Sequence, residues 1–322
     1  MPGKFAAGSP ARRIFVSSNC LAGGRDLSVA LERLAAAGVF EVELSGGHGF
    51  ADPDALLARL QAWRGRGMAF TVHNYFPPPR EDFVLNIASF DPAVRAQNLR
   101  LMGQAIDFAR ELQAPFYGVH AGYLADARES RGQFHFQAVG PNGAEACQRR
   151  AVDTVLEVLR ERGDRLPPGG LLVENLFPPS TGPNHSLCTT PGELISFFEA
   201  VAKEGGNLGL LLDLAHLDLA CRRYGRDSDA ALEQLLEVFG ERLRAVHLSG
   251  HDGLEDVHRP LRADDWQLRA AGRIARSRGA APGPCFTLEC RWVDEPTVLA
   301  QRELLRRALD EAEDAGDGHA AR

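Results

Sequence analysis

The sequence contains almost no lysine. Of the 36 basic residues in the 322-residue chain, only Lys4 and Lys203 are lysines, and arginine supplies the rest of the positive charge. Neither lysine follows an apolar run of the kind that forms a buried strand. A catalytic lysine has to be activated by such surroundings. We therefore do not expect Schiff-base or lysine general-base chemistry.

The sequence also lacks paired cysteines and long apolar stretches. Six cysteines are scattered along it: Cys20, Cys147, Cys188, Cys221, Cys285 and Cys290. None forms a CxxC pair, so we interpret them as reduced thiols. No apolar run is long enough to span a membrane, and residues 1–13 have no signal-peptide pattern. These absences predict a cytoplasmic protein without membrane contact.

The net charge bears on the choice of partner. The chain carries a formal charge of −7 with 44% hydrophobic and 25% charged residues, which is ordinary for a globular protein. Binding to nucleic acid relies on Lys and Arg that neutralise phosphates. The acidic balance therefore disfavours nucleic acid as a partner, although a local basic groove keeps this alternative open.

Short apolar runs alternate with longer amphipathic runs. The predicted strands are 13–17, 40–44, 68–73, 115–120, 170–174, 208–213, 243–248 and 285–289. The predicted helices are 27–37, 53–66, 92–112, 143–162, 191–203, 228–239, 263–278 and 296–312. Nearly continuous apolar character is typical of strands buried on both faces. Alternation of strands with helices predicts a parallel sheet that is covered by helices.

Eight such units favour a single (β/α)8 TIM barrel. An open Rossmann-type sheet is less favoured, because no GxGxxG motif follows the first strand. We expect a metal-binding barrel domain at 13–314, an N-terminal extension at 1–12 and a disordered tail at 315–322. Two long connections, 74–91 and 121–143, follow strands and are expected at the active-site end.

Six predicted strands end in a histidine or an acidic residue: His73, His120, Glu174, Asp213, His247 and Glu289. The carboxyl ends of barrel strands surround one mouth, so these side chains would face a common cavity. Clustered buried carboxylates and imidazoles need a counter-charge, which a divalent cation supplies. Oxygen and imidazole donors without thiolate suit Mn²⁺, Mg²⁺, Co²⁺, Fe²⁺ or Zn²⁺. Glu43 also stands near a strand end, and we interpret it as a structural hydrogen-bonding residue.

These motifs resemble the xylose isomerase-like barrel superfamily, which includes sugar-phosphate isomerases and epimerases and endonuclease IV-type enzymes. The most specific segments are Val173-Glu174-Asn175, Asp213-Leu214-Ala215-His216, His247-Leu248 and Leu288-Glu289. The resemblance implies one metal ion, with Mn²⁺ favoured, held by the positions matching Glu174, Asp213, His247 and Glu289. It also implies that Glu174 and Glu289 are the catalytic acid and base.

The leading hypothesis is a divalent-metal-dependent isomerase or epimerase that acts on a sugar or sugar derivative. A carboxylate would move a proton next to a carbonyl, through an enediolate that the metal stabilises. The expected partner is a small sugar-like molecule, and the family resemblance is compatible with a homodimer. The candidate substrate-binding residues are His216, Asn175, Arg291, His73 and His120.

The same residues also resemble the endonuclease IV pattern, which has three zinc ions and nine ligand positions. All nine have a counterpart of suitable type: His73, His120, Glu174, Asp213, His216, His247, Asp256, His258 and Glu289. This alternative implies an AP endonuclease that hydrolyses phosphodiesters at a trinuclear zinc site.

Four sequence features depart from the nuclease pattern: the triple proline at 77–79, a first strand without a histidine, and the residues that follow His120 and His258. His120 is followed by Ala-Gly-Tyr instead of Pro-Gly-Ser, and His258 is followed by Arg-Pro-Leu instead of a glycine-rich segment. They favour a small sugar-like substrate over DNA. A third alternative is a metal-dependent dehydratase of the same superfamily, which would use the same glutamates and metal.

Overall fold

The computed structural model describes residues 13–23, 25–130, 133–136, 142–277 and 283–317. Eight parallel strands among them close into a barrel. These strands are β1 (Ile14–Ser17), β2 (Glu41–Leu44), β3 (Ala69–His73), β4 (Tyr117–His120), β7 (Leu171–Glu174), β8 (Gly209–Asp213), β9 (Leu243–Leu248) and β10 (Cys285–Leu288). Each barrel strand pairs with its neighbours in chain order, and β10 pairs with β1 to close the ring.

Helices in the described residues surround this barrel. They are α1 (Leu27–Ala36), α2 (Pro53–Gly65), α3 (Pro92–Glu111), α4 (Gly143–Arg162), α5 (Pro191–Lys203), α6 (Leu214–Tyr224), α7 (Ser228–Phe239), α8 (Trp266–Ser277) and α9 (Glu295–Asp317). Two short strands, β5 (Ala127–Ser130) and β6 (Gln133–Phe136), form an antiparallel hairpin in the connection after β4.

Local sequence signals explain where several helices begin. The side chain of Asp52 caps α2 and that of Asp91 caps α3, and each helix then starts with a proline. Thr190 and Glu193 form a complete capping box at the start of α5. Proline suits the first turn because the N–H that it lacks would have no partner there.

The barrel interior is closed below the mouth by Phe116, Leu172, Leu211 and Ala245, which pack together and are buried. Side chains alternate along a strand, so residues two positions further along face the same side. Glu174, Asp213 and His247 stand at those positions. The interior cluster is therefore the apolar floor on which these polar side chains lie.

The predicted (β/α)8 barrel is confirmed, and each predicted strand and helix has an observed counterpart. The structure adds α6 and the β5–β6 hairpin, which the sequence analysis does not predict. Helix α9 continues to Asp317, inside the segment predicted as tail, whereas residues 1–12 and 318–322 lie outside the described residues. No helix in the described part of the chain is long and apolar enough to cross a membrane.

Candidate metal centre

The predicted strand-end residues meet at one mouth of the barrel. Four of them are the last residues of their strands: His73, His120, Glu174 and Asp213. His247 lies one residue before the end of β9, and Glu289 directly follows β10. In the parallel ladder His120 is paired with Glu174, and Asp213 with His247. The register therefore places these side chains next to one another.

Glu174 is the centre of the cluster. Its Oε2 lies 2.6 Å from Nε2 of His73 and 3.5 Å from Nε2 of His120. Its Oε1 lies 3.5 Å from Nδ1 of His216 and 3.8 Å from Nδ1 of His247. Burial alone would raise the pKa of Glu174, but the surrounding histidines lower it to about 2. Glu174 is therefore held as a carboxylate.

The two carboxylate oxygens of Asp213 have different surroundings. Oδ1 accepts a hydrogen bond from the backbone N–H of His216 at 2.7 Å and so caps α6. Oδ2 is buried and has no hydrogen-bond partner. Burial raises the pKa of Asp213 to about 6, and the neighbouring carboxylates of Glu174, Asp256 and Glu289 act in the same direction against the lowering effect of His216.

His247 lies close to both candidate catalytic residues, Glu174 and Glu289. Its Nδ1 lies 3.0 Å from Oε2 of Glu289, outside hydrogen-bond geometry, and 3.8 Å from Oε1 of Glu174. Burial alone would lower the pKa of His247, yet Glu289, Glu43 and Glu174 together raise it well above its ordinary value. The imidazole therefore occupies a strongly negative environment that also attracts a cation.

The loop after β9 adds a second set of donors to the mouth. Oδ2 of Asp256 lies 3.3 Å from Nε2 of His216 and 2.9 Å from Nε2 of His258. His258 has a φ of 47°, in the left-handed region that non-glycine residues rarely adopt, and its Nδ1 is buried without a hydrogen-bond partner. Backbone strain of this kind is concentrated at functional sites.

A divalent cation fits this arrangement of donors. Three groups among the described residues offer ligand atoms that lie within 4.8 Å of one another: Glu174, Asp213 and His247; His73, His120 and Glu174; and Glu43, His73, His247 and Glu289. All the donors are carboxylate oxygens or imidazole nitrogens. A bound cation would satisfy Oδ2 of Asp213 and Nδ1 of His247, which are costly to leave unpaired in the protein interior.

The sequence matches the family described as xylose isomerase-like TIM barrel over residues 31–318. This match extends over most of the chain. The protein belongs to the xylose isomerase-like TIM barrel family. Among curated proteins, none matches the sequence.

Solved structures with this fold include both sugar epimerases and a nuclease. A D-tagatose 3-epimerase-like protein has a TM-score of 0.69 at 18% identity, and covers 94% of this chain and 99% of its own. L-ribulose 3-epimerase has a TM-score of 0.64 at 17% identity, with 97% and 99% covered. Endonuclease IV from Thermus thermophilus has a TM-score of 0.59 at 20% identity, with 93% and 99% covered. At these identities the likeness shows the fold.

In this xylose isomerase-like barrel, a cavity of about 370 Å³ opens above the cluster. Most of the predicted site residues line it: His73, His120, Glu174, His216, Asp256, His258, Glu289 and Arg291. Arg291 stands at an exposed position, and its backbone N–H donates to the carbonyl of His258. The cavity also includes Tyr123, the tyrosine of the Ala-Gly-Tyr segment after His120, and its hydroxyl lies 3.3 Å from Nδ1 of His120.

Asn175 has a different placement from the predicted substrate contacts. It is buried and is not among the residues that line the cavity. Its Nδ2 donates to the carbonyl of Asp213, and its Oδ1 accepts from the backbone N–H of Asp213. The amide thus joins the ends of β7 and β8, which points to positioning of Asp213 instead of substrate contact.

Glu43 is a buried carboxylate at this end of the barrel that the predicted ligand set leaves out. It is 0% exposed and lies below the mouth, with Oε2 at 3.0 Å from Nε2 of His247. The predicted structural hydrogen bonding is observed, but its partner is a residue of the candidate centre. The available sequence signal was the position of Glu43 near a strand end, as for the other six.

Proposed function

We propose that this protein is a divalent-metal-dependent isomerase or epimerase that moves a proton next to the carbonyl of a sugar or sugar derivative. One observation carries this proposal. Two buried carboxylates, Glu174 and Glu289, line the same small cavity, and both face Nδ1 of His247. Two such groups on opposite faces of a substrate can invert a carbon centre, because one removes the proton and the other returns it.

Glu174, Asp213, His247 and Glu289 would hold the ion. Their oxygen and imidazole donors suit several divalent ions, and among these we favour Mn²⁺ because the family resemblance implies it. Bound there, a divalent cation supplies Lewis-acid polarisation of the substrate carbonyl. Glu174 and Glu289 would take and return the proton. Arg291 would contact a substrate oxygen at the mouth, as an arginine commonly does for carboxylate, phosphate or hydroxyl groups. The cavity volume of about 370 Å³ suits a small molecule.

A second candidate is phosphodiester hydrolysis at several metal ions. It is favoured by the possible metal ligands other than the four proposed above. These further residues surround the same cavity: His73, His120, His216, Asp256 and His258. Nδ1 of His258 has no hydrogen-bond partner and is a further possible metal-ligand atom, which a site for one metal ion does not need. The fold likeness to endonuclease IV agrees with this candidate, as the likeness to the epimerases agrees with the first.

Metal content of the purified protein separates the two candidates. We expect about one Mn²⁺-like ion per chain, and three Zn²⁺ per chain would favour the hydrolase. The second measurement is incorporation of solvent deuterium at the α-carbon of D-tagatose and L-ribulose, the sugars in the names of the structural neighbours. Failure of this exchange together with cleavage of an abasic DNA duplex would reject the isomerase.

A further inference from the structure

Glu43 lies below His73 and Glu289 in the barrel, because it contacts Thr71 and Thr287, which stand two positions before those residues in the sequence. Its carboxylate is 0% exposed, as is the imidazole of His247 above it. An ionised carboxylate that leaves water loses several kcal/mol of hydration free energy, so the protein has to supply donors in exchange. The contacts of Glu43 therefore indicate its role.

Three hydroxyl groups fix the Glu43 carboxylate. Thr71 and Thr287 donate to Oε2 at 3.3 and 3.2 Å, and Ser45 donates to Oε1 at 3.4 Å. The threonines belong to β3 and β10, on opposite sides of β2 in the barrel. With His247 also at 3.0 Å, Oε2 has three partners and is occupied as an acceptor, although Glu43 also offers an oxygen within 4.8 Å of donor atoms of His73, His247 and Glu289.

The contact with His247 determines which imidazole nitrogen is free. When Glu43 is a carboxylate it can only accept, and Nε2 of His247 then carries the hydrogen of this bond. In the neutral imidazole Nδ1 then keeps its lone pair, and it is Nδ1 that faces Glu289 and Glu174. Carboxylate contacts of this kind orient metal-binding histidines and increase their basicity.

We propose that Glu43 is a positioning residue of the metal centre, which holds Nε2–H of His247 so that Nδ1 is presented to the ion. Thr71, Thr287 and Ser45 in turn hold Glu43. This inference rests on the proposed metal site, but it assigns a role to a residue outside the ligand set.

The test measures binding of Co²⁺ alone to the metal-free full-length protein, followed by visible absorption. Glu43→Gln keeps the shape of the side chain and removes its charge. We expect Co²⁺ to bind Glu43→Gln about 10- to 100-fold more weakly, the usual loss when an outer carboxylate partner is removed. The matched control is Glu41→Gln on the same strand, because Glu41 pairs with Arg302 and not with the site; it should bind Co²⁺ as the unaltered protein does.

A second readout separates positioning from a merely structural role. The ¹⁵N spectrum of histidine-labelled, Zn²⁺-loaded protein should show a changed His247 signal in Glu43→Gln and an unchanged one in Glu41→Gln. A purely structural residue would lower the melting temperature without altering metal affinity or the His247 signal. If Glu43→Gln does not fold, Thr287→Val carries the test, since it removes one hydroxyl from Glu43 and should weaken Co²⁺ binding in the same direction.

The outcomes distinguish this inference from the proposed function. If the unaltered protein bound no Co²⁺, both would fall. If the unaltered protein bound Co²⁺ and folded Glu43→Gln, or Thr287→Val in its place, bound it equally tightly, the role of Glu43 would be overturned and the metal site would stand.

Discussion

Asp213 combines a structural and a chemical role in one carboxylate, and the two can be separated by substitution. Asp213→Asn should keep the cap on α6, because asparagine caps helices as well as aspartate. It should abolish tight metal binding, because the oxygen that is otherwise unpaired is lost as an anionic donor. We expect the metal-free Asp213→Asn protein to be as stable as the unaltered one or slightly more stable, since burial disfavours the charged form of Asp213. Asp213→Ala should lose the cap as well and cost about 1 kcal/mol of unfolding free energy.

The matched control for this pair is Asp227, which caps α7 by accepting from the backbone N–H of Ala230 at 2.8 Å. Asp227→Ala should cost a similar unfolding free energy and leave metal affinity unchanged. Chemical denaturation and metal titration of the three variants check both statements. Unaltered metal affinity in Asp213→Asn would contradict the assignment of Asp213 as a ligand.

Glu289 is expected to act in the chemistry as well as in metal binding. It follows β10 directly, and its Oε2 lies 3.0 Å from Nδ1 of His247. Glu289→Gln should reduce α-carbon exchange by at least about 100-fold, because the amide cannot accept the proton. Circular dichroism should show an unchanged fold, with Glu303→Gln on the exposed face of α9 as the control. A fully active Glu289→Gln enzyme would show that Glu289 is not a catalytic group.

Strand β4 offers a test of how packing between elements positions the site. A Cβ atom on Gly118 would lie 2.7 Å from Cδ1 of Leu211 and 3.3 Å from Cδ2 of His73. Gly118→Ala therefore has to displace the apolar floor, the His73 ring, or both. We expect a loss of about 1–3 kcal/mol in unfolding free energy, typical of overpacking, together with weaker metal binding.

The control for Gly118 is Gly192 in the first turn of α5, where an added Cβ meets no atom within 4 Å. Gly192→Ala should not destabilise the protein, because alanine is the better helix former. Thermal unfolding of both variants checks the contrast. Equal stability of the two variants would contradict this prediction, because it would mean that the barrel interior accommodates a methyl group beside His73 without a loss of packing.

At the level of elements, the barrel strands could be predicted because strands buried on both faces appear as continuous apolar runs. Helix α6 could not be predicted in the same way. The chain passes from β8 into α6 without an intervening loop, since Asp213 ends the strand and caps the helix. The apolar residues Leu214 and Ala215 therefore look like a continuation of the strand.

At the level of the whole molecule, closure of the barrel is what made the site predictable. It brings side chains that are far apart in sequence to one mouth, so strand-end residues could be named before their contacts were known. The contacts themselves depend on register and loop geometry. The sequence marks Asp256, His216, Glu43 and His247 as candidates, but the contacts of Asp256 with His216 and of Glu43 with His247 follow from the three-dimensional path of the chain.

The same closure couples the metal to the stability of the entire barrel. The candidate ligands come from β7, β8, β9 and the residue after β10, so an ion bound to them holds four consecutive strands together and binds the folded state in preference to the unfolded one. At a concentration 100 times the dissociation constant, such an ion adds about 2.7 kcal/mol to the unfolding free energy. We expect EDTA to lower the melting temperature by about 5 °C and Mn²⁺ to restore it in proportion to the logarithm of its concentration. Asp227→Asn should keep this dependence and Asp213→Asn should lose it. A melting temperature that did not respond to any divalent ion would contradict a metal centre at the mouth of the barrel.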